Sequence, residues 1–593
     1  MRKNKLVFGS TLETHVNNGK AASIISRVFP GWSFECNYEF SDLGKVWVIW
    51  HPSVSVTVLH KSLQSISCRV QMPFSPTVFV ATFVYGSNFR KIRRELWSDL
   101  RFLSTSPYVL NTPWTVLGDF NQTLAASEHS SSDAFSSTRG MRDFINCTHD
   151  TNLADLKYYG NSFTWSNNQG AFVISKKLDR ILPKTKQPFK FFSMLNDHPD
   201  FEVVVKECWN SLPFDGTKML KVSRKLKALK SIIRSFGREN YSGIEKRVSE
   251  AFDDLTRCQR IVFSSPSPQA GINERSAYDK WITLAKAEES FFYQRFRVNW
   301  LDKGDSNTGF YHRQMRQDLL GGEPVSSTSS LVDIEQLLSY RCSPSVSDSL
   351  SAAYTSQDVK TAFFALPKNK APGPDGYPSE FFTAHWNTVG QEVTDAIQEF
   401  FTTCRLLQQW NATILTLIPK KKNADKISDF RPISCCNTVY KVIAKLLANR
   451  LKQVLPSVIS ITQSAFIPGR LLVENVLMAT ELVQGYNWKN ITKRSILKVD
   501  LKKAFDSINW SFIFLILRAL CFPDSYINLI SQCITTTRFS VAVNGELGGY
   551  FKGARGLRQG DPLSPYLFVL AMEVLGQMLN KNYSTGSIGS ASV

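Results

Sequence analysis

At 593 residues the chain exceeds one ordinary hydrophobic core, and two or three domains are expected. Its 43% hydrophobic and 20% charged residues are those of a globular protein, and the 70 Lys plus Arg against 50 Asp plus Glu leave a net charge of +20. That balance points to a polyanionic partner, nucleic acid before an anionic membrane surface, and the 13 Trp and 41 Phe add stacking surfaces for bases. The bland alternative is a basic protein with a solvated surface. The 11 cysteines are odd in number, scattered and without a CxxC pair, which argues against a zinc module and for a reducing compartment. MRKNKLVFGSTLETH lacks the apolar core of a signal peptide, and no apolar run approaches the ~20 residues of a membrane span. An intracellular protein of nucleus or cytoplasm is expected, neither secreted nor membrane-bound.

In chain order, the first third reads as short strands separated by turns. VWVIW, then 65–70, then TVFVATFVYG are rich in Val, Ile, Phe and Tyr. A further strand, 114–117, ends in Gly118-Asp119-Phe120-Asn121. Glu13 lies near the end of the first apolar run, in LETH, and Asp179 lies in KLDR. Glu13, Asp119, Asn121 and Asp179 could bind a metal and position water for phosphodiester cleavage. Each alone is weak, because acids at strand ends are common.

Together, LETHV, VYGSN, WTVLGDFN, NLADL, GNSFTWSN and KLDRIL resemble, in this order, the exonuclease–endonuclease–phosphatase family. More closely, they resemble the endonuclease domain of plant-type LINE (non-LTR) retrotransposons. The resemblance implies a two-sheet α/β sandwich. It implies that Glu13 binds Mg²⁺, that Asp119 and Asn121 handle the attacking water and phosphate, that Tyr85 contacts phosphate, and that Asp179 supports a catalytic histidine. Two departures stand out. The family's early Asn before the Glu is absent, and so is its closing Ser-Asp-His. Asn196-Asp197-His198 looks like the lost element, but its context, FKFFSMLNDHPDF, resembles the segment that follows the domain. His198 is therefore expected to be a surface residue of a linker.

The middle is helical and basic over 217–260, with an apolar stripe of Met219, Val222, Leu226, Leu229 and Ile233 among lysines and arginines. A solvated helix and a phosphate-tracking face are equally consistent with it. SSPSPQAG, 264–271, predicts a flexible break, 286–313 resembles the connector of the same retrotransposon class, and 321–348 is predicted to be poorly ordered.

Further on, NKAPGPDG (369–376) is a rigid turn whose amides could face a phosphate chain. LTLIPKKK predicts a strand ending in lysines, with FRPIS after it; Lys420 and Arg431 could grip a triphosphate or template phosphates. An amphipathic helix is predicted over 438–455. ILKV, 496–499, predicts a strand that delivers Asp500 to a sheet edge, where a carboxylate could hold Mg²⁺. Asp506-Ser507 then look like the N-cap of a helix through 512–517, and the whole stretch is equally an ordinary strand–turn–helix. FSVAV followed by Asn544-Gly545 predicts a hairpin. Asp561 is predicted to cap, and Pro562 to start, the helix through 566–579, while the glycines of GLRQGD let backbone approach a nucleotide.

NKAPGPDG, FRPIS, QSAFIPGR, VDLKKAFD and GLRQGDPLSPYLF, read in order, resemble a non-LTR reverse transcriptase. That resemblance implies a polymerase fingers–palm with two metal ions, Mg²⁺ or Mn²⁺, and attack of a primer 3′-hydroxyl on a deoxynucleoside triphosphate. It makes Asp500 a metal-holding carboxylate and Phe505 the gate against a ribose 2′-hydroxyl. It places Arg431 on the triphosphate, and Gln559 and Gly560 against nucleotide and template. RNA template, DNA target or primer, and deoxynucleoside triphosphates are the implied partners. The expected organisation is a sandwich over 1–185, a basic helical connector over 186–350, and reverse transcriptase fingers with part of the palm over 351–593. The family's later Asp-Asp pair is absent, and Glu573 is the only acid after Asp561. The expected function is thus a LINE-type reverse transcriptase with a linked endonuclease, catalytically impaired as it stands. The alternative is a non-catalytic retrotransposon remnant that binds nucleic acid.

Overall fold

The computed structural model describes residues 6–73, 75, 77–110, 112–130, 138–156, 161, 163–167, 173–184, 189–211, 213–241, 243–299, 330–421, 429–484, 498–501, 503–543 and 546–585. The chain forms two compact units, Met1–Gln187 and Pro188–Val593.

The first unit holds two sheets. Strands β1 (Phe8–Asn17), β2 (Ser33–Cys36) and β3 (Leu43–Trp50) make an antiparallel sheet of order β1-β3-β2. A five-stranded sheet has the order β10-β7-β6-β5-β4, from β4 (Ser55–Lys61), β5 (Ser65–Gln71), β6 (Val78–Tyr85), β7 (Trp114–Asp119) and β10 (Asp179–Pro183). β6 and β7 run parallel, joined across the helix Arg90–Thr105. A short hairpin, β8 (Trp165–Ser166) with β9 (Ser175–Lys176), stands apart from both sheets.

The near-continuous apolar runs follow from burial on both faces. Val46 and Val48 of β3 pack with Ile66, Cys68, Val70, Ala81, Phe83 and Tyr85 between the sheets. Trp47 and Ile49 turn outward onto Ala21 and Ile25 of the helix Asn18–Val28. The outer face of the larger sheet, Val80, Val84, Trp114 and Val116, is covered by Leu96, Trp97 and Leu100, with Phe144 from the helix Arg139–Thr151. The unit is the two-sheet α/β sandwich expected, with helices on its outer faces.

The second unit is built around the helix Thr438–Val458, which is buried on almost every side. Each Leu, Ile or Val fully buried there contributes about 1.5–3 kcal/mol, so this helix anchors the core. Cations of this helix satisfy the chain ends of neighbouring helices. Lys445 Nζ donates to Ala365 O (2.6 Å), and Arg450 donates to Leu350 O (2.9 Å) and Ala352 O (2.6 Å) while lying 3.4 Å from the Tyr354 ring centroid. A mixed sheet of order β12-β11-β13-β14 flanks the core, from β11 (Ala412–Pro419), β12 (Phe430–Cys436), β13 (Arg538–Val543) and β14 (Glu546–Lys552). β13 and β14 form the predicted hairpin; its Asn544-Gly545 turn lies outside the described residues.

The basic middle is two helices, Lys218–Tyr241 and Ile244–Ser264, divided at Gly243, whose φ is +63°. The predicted break after them shrinks to a few residues, because Pro268 opens another helix, Pro268–Asn299. Of the segment expected to be poorly ordered, 321–329 lies outside the described residues, and from Ser330 onward the expectation fails. Ser330 caps Leu331–Leu337 in a capping box with Asp333, and Ser343 caps Pro344–Ser351. Those serines start helices rather than loosen the chain, and Ile334 and Leu350 are buried. His198 is likewise no surface residue: it is half-buried, edge-on to Phe236 at 4.9 Å, within the second unit.

Candidate functional sites

In the first unit the predicted residues converge on the ends of three adjacent strands. Tyr85 of β6 is the register partner of Asp119 on β7, and Asp119 is the partner of Asp179 on β10. Register partners project to one face, here the face toward the smaller sheet. Gly118 makes the row possible: its φ is +139°, and a Cβ there would lie 2.0 Å from Val84 O. Asn121 adopts φ +48°; its N–H donates to Asp119 Oδ1 (2.8 Å) and its Nδ2 to Gly86 O (2.7 Å). Glu13 enters from β1 at an irregularity in the β1–β3 pairing, with φ +55°, a strained value for a residue with a side chain.

Electrostatics mark the same spot. Burial, with the Asp179 and Glu13 charges adding to it against the Asn121 N–H, pushes the Asp119 carboxyl up to about 6. Burial, then the charges of Glu13 and Asp119, push the Tyr85 hydroxyl up to about 12, so it stays a donor at neutral pH. Sequence reasoning missed two neighbours. Buried Arg93 donates to Ser87 O (2.5 Å) and Gln122 Oε1 (2.7 Å), bracing the loops on either side of Asp119. His15 Nε2 lies 3.4 Å from Glu13 Oε1. The spacing of Glu13 and His15 in LETH was the available signal; nothing local marks Arg93.

Asp119→Asn is expected to stabilise the first unit at pH 7 by about 1–2 kcal/mol, discounted for partial exposure. The folded carboxyl titrates near 6 against 3.8 for the free group, so its favourable contribution is present below 3.8 and lost as pH rises through 6. Melting curves should show the variant ahead at pH 7 and level with the parent below pH 4. A variant that melts lower at pH 7 contradicts this.

In the second unit, the loop GLRQGD gathers the remaining residues. Leu557 N–H donates to Phe505 O (2.7 Å), Gly556 N–H to Ile508 O (2.7 Å), and Trp510 Nε1 to Gly556 O (2.7 Å). Ser434 N–H donates to Gln559 O (2.8 Å), which ties FRPIS to the same loop. Gly560 has φ +108°, and a Cβ there would come within 3.1 Å of Ser434 O. Phe505 stacks on Phe568 with centroids 4.5 Å apart. Arg431 is exposed on the edge strand β12, and Lys420 N–H donates to Asp429 O (2.8 Å) at the mouth of the β11–β12 hairpin.

Two predictions change here. Asp506 caps no long helix. It is buried, and Gln559 Nε2 donates to its Oδ1 (3.1 Å). Burial raises its pKa, opposed by the Gln559 hydrogen bond and by Lys503 and Lys420. The helix Trp510–Ala519 is capped instead by Asn509, whose side chain accepts from Ser511 N–H. Asp561 precedes its helix, Ser564–Ser584, rather than capping it, and Pro565, not Pro562, occupies the first turn. Its Oδ1 accepts from Leu563 N–H (2.9 Å), while Oδ2 takes Tyr440 Oη (2.7 Å) and pairs with Arg558 (2.8 Å).

The predicted strand before Asp500 is also not found. Residues 496 and 497 lie outside the described residues, and 498–501 pair with no strand and are exposed, Val499 at 66%. An apolar run becomes a strand only where a sheet accepts it, and the sheet here is β12-β11-β13-β14.

The two sites differ as metal sites. Among the described residues no three His, Cys, Asp or Glu side chains stand close enough together to hold a metal ion. Mg²⁺ needs fewer, since it is held by one or two carboxylates, waters and substrate phosphates. Glu13 and Asp119, whose mutual repulsion with Asp179 a cation would relieve, fit that description. Asp500 does not fit. It is exposed and belongs to no group of possible metal ligands among the described residues, and Asp506, six positions on in sequence, is engaged by Gln559.

Residues 418–590 match the family model described as reverse transcriptase (RNA-dependent DNA polymerase). Over 271 residues the chain is 31% identical to the Transposon TX1 uncharacterized 149 kDa protein of Xenopus laevis, covering 45% of this chain and 20% of that one. It is 28% identical over 215 residues to the retrovirus-related Pol polyprotein from type-1 retrotransposable element R2 of Nasonia vitripennis, covering 36% and 20%. The chain thus spans about a fifth of the length of these curated relatives. Among solved structures, the endonuclease domain of TRAS1, a telomere-specific non-LTR retrotransposon, aligns with 30% of this chain and 74% of that one, at 10% identity and a TM-score of 0.24.

Proposed function

We propose that the chain carries the endonuclease-like part and the fingers and partial palm of a LINE-type reverse transcriptase, a protein that copies RNA into DNA at a nicked target. The match of residues 418–590 to the reverse transcriptase family carries this reading. The boundaries 1–185, 186–350 and 351–593 belong to the proposal. So does a plant-type origin, which rests on the N-terminal motif strings alone; the relatives named above are animal elements. RNA, DNA and deoxynucleoside triphosphates are the proposed partners. Among the described residues no helix is long and apolar enough to cross a membrane.

In the first unit Glu13 and Asp119 would hold Mg²⁺, or Mn²⁺, which supplies charge stabilisation at a scissile phosphate. Asn121 fixes one oxygen of Asp119 and leaves the other to orient an attacking water. Tyr85, protonated at neutral pH, donates to a phosphate oxygen. Asp179, opposite Asp119, keeps the site acidic. In the second unit Phe505, backed by Phe568, forms the wall against which a sugar would rest. Gln559, fixed by Asp506, and Gly560 present backbone to the base and template. Lys420 and Arg431 supply positive charge for the triphosphate.

The isolation of Asp500 supports impaired polymerisation by the chain as it stands. The purified 593-residue protein is expected to bind RNA and DNA in a salt-dependent manner. It is expected not to extend an RNA-templated primer with Mg²⁺ or Mn²⁺. Primer extension that disappears in Asp500→Ala would refute the impairment. Absence of any salt-dependent binding would remove the nucleic-acid reading altogether.

A further inference from the structure

The helix Lys218–Tyr241 has Glu239 as its single acid among many lysines and arginines. Two sets of its cations face different ways. Lys218 and Lys225 turn to the helix Trp386–Thr403 and pair with Asp395 (4.0 Å) and Glu392 (2.7 Å). Lys227, Lys230, Arg234 and Arg238 follow one another at three- and four-residue steps, which places them in a row along one side. Lys227, Arg234 and Arg238 are exposed, and among the described residues no acid lies within ion-pair distance of them. The row extends about 16 Å along the helix axis.

The row abuts the turn NKAPGPDG. Gly376 has φ +80°, and a Cβ there would lie 2.0 Å from Phe189 O; a Cβ on Gly373 would lie 2.4 Å from Asn437 N. Phe191 N–H donates to Gly376 O (2.9 Å), and Tyr377 Oη donates to Leu226 O (2.8 Å). The turn is thus wedged between the basic helix and the start of Thr438–Val458. Lys230 Nζ and the Arg234 guanidinium lie 5.4 and 5.5 Å from the Phe189 ring centroid, and Lys441 Nζ donates to Ala371 O (3.2 Å). Among the described residues Asp375 is the carboxylate that faces Lys230. Burial pushes it up to about 6 against the Lys230 and Lys441 charges, and burial holds Lys230 below its ordinary value, with Arg234 and Lys227 adding to that. A single weakly acidic group amid so many cations leaves a large positive surplus.

We propose that Lys227, Lys230, Arg234 and Arg238, with Lys441 beside the turn, form a binding rail for the phosphodiester backbone of a single nucleic-acid strand. A row of charges at helical spacing fits a strand of repeating phosphates better than one isolated phosphate. The rail goes beyond the proposed polymerase site and does not depend on it, because its readout is binding without catalysis.

The full chain is titrated with labelled single-stranded RNA over a salt series. Lys227→Ala/Arg234→Ala/Arg238→Ala alters three exposed side chains and keeps Lys230 and Asp375 themselves, while removing the Arg234 contact with Phe189. It is expected to weaken binding at least about tenfold and to flatten the slope of log affinity against log salt by about 2, at roughly 0.7 per phosphate contact. Lys246→Ala/Arg257→Ala/Lys280→Ala removes the same charge from exposed positions on other helices and is expected to change neither quantity appreciably. Lys441→Gln, on a separate element, is expected to flatten the slope by about 0.7 and serves if the triple variant does not fold. A first triple variant that binds like the parent overturns the rail, as does a control that loses as much. Vesicles of phosphatidylserine and phosphatidylcholine are the remaining arm: loss of vesicle binding with RNA affinity intact would assign the row to a membrane surface and overturn the proposal.

Discussion

Arg558→Met is expected to destabilise the second unit by about 3–5 kcal/mol, because it strands a buried carboxylate. Arg558 is 4% exposed, and its guanidinium lies 4.0 Å from the Tyr440 ring centroid. Nη1 donates to Asn411 Oδ1 (2.7 Å) and Thr413 Oγ1 (3.2 Å); Nη2 donates to Cys533 O (3.0 Å) and pairs with Asp561 (2.8 Å). One guanidinium thus ties the loop GLRQGD to the start of β11, to the central helix and to the helix Asp524–Thr535. Desolvating both charges is costly, so the pair is not a large net stabiliser, but removing one partner leaves the whole cost of the other. Arg558→Met/Asp561→Asn should therefore recover more than half of the loss, since the Asn carries no charge, its Oδ1 still accepts from Leu563 N–H and its Nδ2 can donate to Tyr440 Oη. Thermal melting and amide exchange across 556–563 are the measurements. An unchanged melting temperature in the single variant would overturn this account.

Gly118→Ala is expected to cost the first unit at least about 3 kcal/mol and to disperse its candidate site. The new methyl would meet the carbonyl oxygen of Val84 at 2.0 Å, and Val84 is the register partner of Gly118 in the parallel β6–β7 ladder. Backbone cannot yield there without opening the ladder that holds Tyr85 beside Asp119. Gly19→Ala is the contrasting case. Gly19 lies in the helix Asn18–Val28 with nothing within 4 Å of its would-be Cβ, and alanine there should gain roughly 0.5–1 kcal/mol. Equal melting temperatures for the two variants would show that the tight approach of β6 and β7 is not what makes glycine necessary.

The two sites were legible to different degrees. In the first unit, strand ends carry the chemistry, and a strand end is a local property. GDFN contains its own turn, its own left-handed Asn121 and its own hydrogen bond from Asn121 N–H to Asp119. The motif order then sufficed to bring Tyr85, Asp119 and Asp179 together, because the β6-β7-β10 ladders align them. In the second unit the loop residues Phe505, Gln559 and Gly560 also come together, but the functions assigned to the two acids around them did not transfer. Asp506 looked like a cap because it precedes an apolar helix. The cap is Asn509, and Asp506 is turned inward by Gln559, more than fifty positions away in sequence.

The elements whose causes are local are legible in the chain alone. These are the apolar strands of the sandwich, the helix Thr438–Val458, the β13–β14 hairpin, and the motif order that resembles a LINE-type protein. Which charges are buried, which are paired and which are left to solvent depends on the packing of distant segments. Asp561 reads as a helix cap after a glycine-flanked loop and proves to be half of a core ion pair with Arg558. Lys445 and Arg450 satisfy carbonyls of neighbouring helices. Asp500 reads as the end of a strand at a sheet edge and stands exposed outside any sheet. The reason is the same in each case: propensity and periodicity act over a few residues, whereas desolvation and pairing depend on which distant segments arrive alongside.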